Sequence, residues 1–144
     1  MRTIPLITGL LLSVSIAPAQ GPERTAAPEG AEAYFQSPAD GAVVTSPVTV
    51  RFGLRGIGVA PAGVQFPNTG HHHVLIDVAE GDMPSFDLPL PATDQVVHFG
   101  LGQTEAALEL EPGQHTLQLV LGDYLHTPHS PPVISERITI TVTE

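Results

Sequence analysis

The 144-residue chain contains no cysteine, no tryptophan and no lysine; its five basic residues are all arginine. Without cysteine there are no disulfides, no thiolate metal sites and no cysteine nucleophile. The same absence removes the attachment point of a lipid-anchored lipoprotein. Without tryptophan and a disulfide, the core of an antibody domain is excluded. The glycine-rich stretch Gly53-Leu-Arg-Gly56, with Gly58 and Gly63, precedes no helix and has no lysine, so it is not a phosphate loop. Cations are scarce: five arginines face 15 acids, for a formal charge of −10. Such a surface repels nucleic acid and anionic membranes and tolerates cations.

Long apolar runs are also scarce. Ile4 to Ile16, interspersed with Thr8, Gly9, Ser13 and Ser15, follows the positive start Met1-Arg2 and leads to Ala17-Pro18-Ala19. This pattern predicts a secretory signal peptide over residues 1–19, with Gln20 as the new N-terminus, and is too short for a membrane span. No later run is long enough to cross a bilayer, so the expected location is periplasmic or secreted. Residues 20–30 are rich in proline, glycine and alanine and read as a flexible leader. Residues 31–144 then form one domain, large enough to bury a core without disulfides.

Strand signals dominate that domain. Fifteen prolines and 14 glycines punctuate short runs of valine, isoleucine, threonine and leucine. A first strand is predicted at Tyr34–Ser37, continued by Ala42–Thr45. In Val48–Leu54, Val48, Val50, Phe52 and Leu54 share one face. Further strands are expected at His71–Val78 and Gln95–Gly100. Thr104–Leu110 reads as a continuation or a helical turn. His115–Leu121 follows the turn at Pro112-Gly113, and Val133–Thr143 closes the chain with Ile134, Ile138, Ile140 and Val142 inward. About seven strands at this spacing predict an all-β, antiparallel immunoglobulin-like or fibronectin-like β-sandwich, with an open barrel as the alternative.

Following chain direction through such a sandwich brings six of the seven histidines to one pole. His71, His72 and His73 begin a strand there. The strand at Gln95, bearing His98, is expected to begin there too. The loop Gly122–Pro132, with His126, His129 and Asp123, caps it. His115 falls at the opposite end and reads as structural. Imidazole is the commonest metal ligand, and His126-Thr-Pro-His129 has a spacing that suits chelation. His73, His98, His126 and His129 are the leading ligand candidates, with His71 or His72 as substitutes. Each also has a structural reading: a hydrogen-bonded core histidine at the triple run, a strand residue at His98. Asp123 is either a turn former or the group that orients an imidazole.

The segments Gly70-His-His-His-Val-Leu-Ile-Asp77, His98-Phe-Gly-Leu-Gly-Gln-Thr-Glu105, Pro112-Gly-Gln-His-Thr-Leu-Gln-Leu119 and Asp123-Tyr-Leu-His-Thr-Pro-His129 occur here in that order. Together they resemble a bacterial secreted family, domain of unknown function forty-three ninety-nine, over about Phe35 to Val142. The resemblance implies a single exported β domain and supplies no activity or residue roles.

No nucleophile elbow or acid pair is evident, and Ser130, His129 and Asp123 are too close in sequence to be read as a triad. The leading reading is therefore a non-enzymatic, exported module that carries, buffers or senses copper(II) or zinc(II). With Met83 as the only methionine beyond the signal, a thioether copper(I) site is disfavoured. The expected partners are the metal ion and a periplasmic or cell-surface protein. Two other readings stand beside it: a metal-free adhesion or assembly module, and a copper or zinc metalloenzyme with an open coordination position.

Overall fold

The computed structural model describes residues 23–144; the expected signal peptide, its cleavage site and the first residues of the leader lie outside this range. Among the described residues there are nine strands and one 3-10 turn, Glu80–Asp82. The strands are β1 (Glu32–Ser37), β2 (Val43–Thr45), β3 (Val48–Arg55), β4 (Gly58–Val59), β5 (Thr69–Ile76), β6 (Val96–His98), β7 (Glu105–Leu108), β8 (Gly113–Gly122) and β9 (Ile138–Thr143). They form two sheets, ordered β1-β3-β7 and β2-β9-β8-β5-β4, with β6 also paired to β5. The chain is all-β, with the sandwich-like arrangement its alternating strands demand. Pairing is not wholly antiparallel, since β2 runs parallel to β9 and β4 parallel to β5. None of the described helices is long and apolar enough to cross a membrane.

The core lies between the sheets. Val48, Val50 and Phe52 of β3 face Val74 of β5, Leu117, Leu119 and Leu121 of β8, and Ile138, Ile140 and Val142 of β9. A smaller apolar cluster covers the outer face of the larger sheet: Leu75, Val78, Leu90, Val96 and Val120, with Met83 and Phe86 packed against them. The proline-rich chain between β5 and β6 folds back to make this cover. Strand β5 is thus buried on both faces.

Four expectations are corrected by the pairing. Ala42–Thr45 does not continue the first strand but crosses to the other sheet. Asp40 Oδ1 accepts the Thr139 N–H at 2.8 Å and the Gly41 N–H reaches the Thr139 carbonyl at 2.7 Å, which pins the crossover beside β9. Strand β6 does not begin at the histidine pole; it is antiparallel to β5 and runs toward that pole, so His98 is its last residue. Thr104–Leu110 is neither a continuation nor a helical turn: β7 is a separate strand, paired to β3 in the other sheet. The closing strand is split, because Ser135 turns inward. Its hydroxyl accepts the Leu119 N–H at 2.8 Å, and Val133, rather than Ile134, is the buried residue.

The segment read as a free leader is partly docked. Ala26 bridges Ser130, the Ala27 N–H donates to the Ser130 carbonyl at 3.0 Å, and the Ser130 N–H donates to the Thr25 carbonyl at 2.9 Å. Apart from a turn closed by the Ala31 N–H on the Pro28 carbonyl at 3.1 Å, its described residues have no local structure of their own. It gains order by lending hydrogen bonds to a loop that needs partners.

His115 lies at the far end of the sandwich, as expected. Its Nδ1 is 2.7 Å from Asp77 Oδ2 and its Nε2 is 2.8 Å from the Glu111 carbonyl. Burial lowers its pKa, but the Asp77 carboxylate and the Glu111 carbonyl outweigh it and leave the value raised above 6.5. A raised histidine pKa stabilises the fold fully below the unfolded value and ceases to do so as pH rises through the folded value. Replacing His115 with glutamine is therefore expected to cost stability at pH 6 and much less at pH 9, read by urea unfolding at both. Leu119→Ala, at the fully buried centre, is expected to cost about 2–5 kcal/mol in the same assay.

Candidate metal centre

On β5, alternation sends His71 and His73 to the outer face and His72 to the inner one. On one side of β5, His71 lies opposite Gly122 and His73 opposite Val120; on the other side, His73 lies opposite His98 of β6. His126 is added from the loop after β8, where it adopts a left-handed backbone conformation with φ of 69°. Three separate stretches of chain thus meet. Ring centroids are 4.9 Å apart for His71 and His98, 5.0 Å for His71 and His126, and 4.7 Å for His98 and His126. His73 lies 4.8 Å from His71, 5.1 Å from His98 and 6.1 Å from His126.

One ring nitrogen from each of His71, His98 and His126 lies within 4.8 Å of the other two, a group that can hold a metal ion. Nitrogen ligands at zinc, each at about 2.0–2.1 Å, stand roughly 3.4 Å apart. The difference is within reach of side-chain rotation, because His98 is exposed at its strand end and His126 is only partly buried.

Electrostatics favours the neutral rings that metals bind. Burial, followed by the neighbouring His126 and His98, lowers the His71 pKa to about 4. Burial, followed by His71 and His98, lowers that of His73 to about 3. Burial and His126 lower that of His98. At neutral pH these imidazoles keep a lone pair on one nitrogen. His71 and His73 are 0% and 1% exposed, yet none of their ring nitrogens has a hydrogen-bond partner among the described residues. A buried polar atom left this way is costly unless something else engages it.

The remaining histidines of the pole stand apart from this group. His72 points between the sheets, its ring 4.9 Å from that of Phe52, where burial lowers its pKa to about 4. It lies at the wall of a cavity of about 320 Å³ shared with Leu54, Ile57 and Thr104. His129 is fully buried and acts as a strut. Its Nε2 donates to the Thr69 carbonyl at 3.2 Å and its Nδ1 lies 3.4 Å from the Leu121 carbonyl, which ties the start of β5 to the end of β8. Asp123 bonds to no imidazole. Its Oδ1 accepts the N–H groups of Leu125 at 2.9 Å and Thr127 at 3.0 Å, and its Oδ2 accepts the Thr25 hydroxyl at 2.6 Å. It builds the turn that presents His126, and its charge raises the His71 pKa against the larger lowering effects.

Three glycines make room for these rings, and sequence reasoning passed over them. A Cβ on Gly122 would lie 2.7 Å from His73 Cε1, and one on Gly70 would lie 2.9 Å from His129 Cε1. A Cβ on Gly100 would overlap the His98 ring. The signal was present: each glycine lies within four residues of a histidine or of Asp123. Arg24 and Thr25, which hold the His126 loop, carried no such signal.

Fold and site together define an all-β domain with a half-buried, nitrogen-only imidazole cluster at one pole. The chain belongs to the family described as "Domain of unknown function (DUF4399)", whose model matches residues 50–143 and so includes every histidine of the cluster. No match was found among curated proteins or solved structures.

The tight fit of Gly100 gives a direct test of the geometry. Gly100→Ala is expected to turn the exposed His98 ring away from His71 and His126 while leaving the fold intact, seen as loss of imidazole contacts between His98 and His126 in NMR.

Proposed function

We propose that this protein is an exported, non-enzymatic module that binds one transition-metal ion through His71, His73, His98 and His126. The observation that carries this reading is the convergence of His71, His98 and His126 on one point, beside buried ring nitrogens of His71 and His73 that have no other partner among the described residues. Structural pairing of the kind seen at His115 and His129 is absent there. The core residue His72 also has unpartnered nitrogens among the described residues, and what sets His71 and His73 apart from it is the neighbouring rings of His98 and His126. His72 and His129, included among the candidates from sequence, are assigned to the core and to the strut.

Nitrogen-only donation, with neither thiolate nor thioether at the cluster, suits copper(II) or zinc(II). The acidic surface would draw a dication in from solution. His98 gives the ion a route in and out, as a carrier, buffer or sensor needs. Export to the periplasm or exterior rests on the signal-like residues 1–19, and a periplasmic or cell-surface protein would supply or receive the metal. The strand order β1-β3-β7 against β2-β9-β8-β5 supports the finer immunoglobulin-like reading of the sandwich.

The test is titration of the untagged exported protein with copper(II) and zinc(II), beside the double variant His98→Ala/His126→Ala and the control His115→Gln. One tight equivalent is expected, weakened on the order of 100-fold or more in the double variant and unchanged in the control. Absence of tight binding by the wild type, or equal binding by the double variant, would overturn the reading.

A further inference from the structure

The loop that delivers His126 is held partly by its own hydrogen bonds and partly by residues from far along the chain. His126 adopts a backbone conformation rare for a residue with a side chain, and it is flanked by Leu125 and Thr127, whose N–H groups both bind Asp123 Oδ1. The Asp123 N–H donates to the Thr127 carbonyl at 2.9 Å and the His126 N–H to the Asp123 carbonyl at 2.9 Å. The turn therefore depends on where the Asp123 carboxylate points. That carboxylate is buried, and its other oxygen is held by the hydroxyl of Thr25, a residue 98 positions away.

Arg24 reinforces the same loop from the outside. Its Nε donates to the Pro128 carbonyl at 3.0 Å, and one of its terminal nitrogens donates to the His129 carbonyl. Its other terminal nitrogen reaches Asp87 Oδ1 at 3.3 Å, on the chain that covers the outer face of β5. The Arg24 side chain is 17% exposed, far below what a free surface arginine shows. The Ala26 bridge to Ser130 completes the attachment. On its inner side the same covering chain contacts the loop once more, with the Leu90 N–H donating to the His126 carbonyl at 2.9 Å.

The geometry points to Arg24–Ala27 as a strap that positions His126, so that the imidazole cluster is complete while the strap is docked and loses its loop-borne member when the strap is lifted. Arg24 and Thr25 are positioning residues: they touch no imidazole and act through Asp123 and the loop backbone. The strap has no helix or strand of its own and is held by side-chain hydrogen bonds, by two backbone bonds to Ser130 and by the packing of Ala27 against the edge of the core. A partner or protease that draws it off would loosen the His126 loop without unfolding the sandwich. This is a means of regulating the same site, and its metal-dependent part rests on the reading given above.

The test compares the exported protein with Arg24→Ala/Thr25→Val and with Thr25→Ser, by two independent readouts. The first is amide hydrogen exchange at Leu125 and Thr127 in metal-free protein. The second is copper(II) and zinc(II) titration with the electron paramagnetic resonance spectrum of the copper(II) form. In the double variant, exchange at both amides is expected to rise about tenfold or more. Affinity is expected to fall about 10–100-fold, with a changed copper(II) spectrum and a lowered melting temperature but a still cooperative unfolding transition. Thr25→Ser restores all of these. Wild-type exchange in the double variant overturns the strap, and wild-type affinity beside faster exchange overturns its control of the site. If the wild type binds neither metal, the metal reading fails, and exchange alone still decides whether the strap positions His126.

Discussion

Strand β5 is covered on both faces, and the cluster depends on that. In an open two-layer protein the outer face of a sheet normally meets water, where imidazoles on it would be solvated and titrate near their usual value. Here the chain between β5 and β6 and the loop after β8 lie over that face, and they bury His71 and His73 beside a small apolar patch around Leu75 and Val120. Desolvation keeps the rings neutral and leaves their nitrogens without water as an easy alternative. The inner face makes a different demand at the next residue, and His72 meets it by packing its ring, tilted by 41°, beside Phe52. Adjacent histidines thus have unlike roles because a strand reverses its side chains at each step.

The acidic balance of the chain does not extend into the cluster. Asp123 is the nearest buried carboxylate, and its oxygens are taken up by two backbone N–H groups and one hydroxyl. It contributes a field, felt at His71, and a turn, rather than a ligand. A cation bound by imidazoles alone would keep most of its charge, partly offset by that field. At the opposite end, Asp77 and Glu111 give His115 the reverse environment: two acceptors, and a pKa moved upward. The two ends show how partners, more than residue type, decide what a histidine does.

Much of the fold was legible along the chain. The alternation in Val48–Leu54 and His115–Leu121 gave β3 and β8 nearly to the residue, because alternate residues of each, Val48, Val50 and Phe52 and Leu117, Leu119 and Leu121, face the core. The split final strand was not legible, since Ser135 turns inward by satisfying its hydroxyl on the backbone of β8. The side on which β2 lies depends on Asp40 and Gly41 reaching Thr139, a contact 99 residues along the chain. His98 arrived at the pole by a route opposite to the expected one: β6 ends there instead of starting there. The leader looked free because its composition gives no local structure, and composition is silent about bonds to a distant loop.

What the sequence by itself determined is the all-β class, the periodicity that sorts side chains between faces, and the gathering of six histidines toward one pole. Those follow from two-residue alternation and from turn chemistry, which are local. What only the tertiary structure decided is membership of the cluster: His71, His73, His98 and His126 together, with His72 in the core and His129 as a strut. Those assignments rest on strand register, on the space left by Gly70, Gly100 and Gly122, and on a backbone turn at His126 fixed by residues nearly 100 positions away. Spacing along a chain cannot carry that information, because it is set by which distant backbones come into contact.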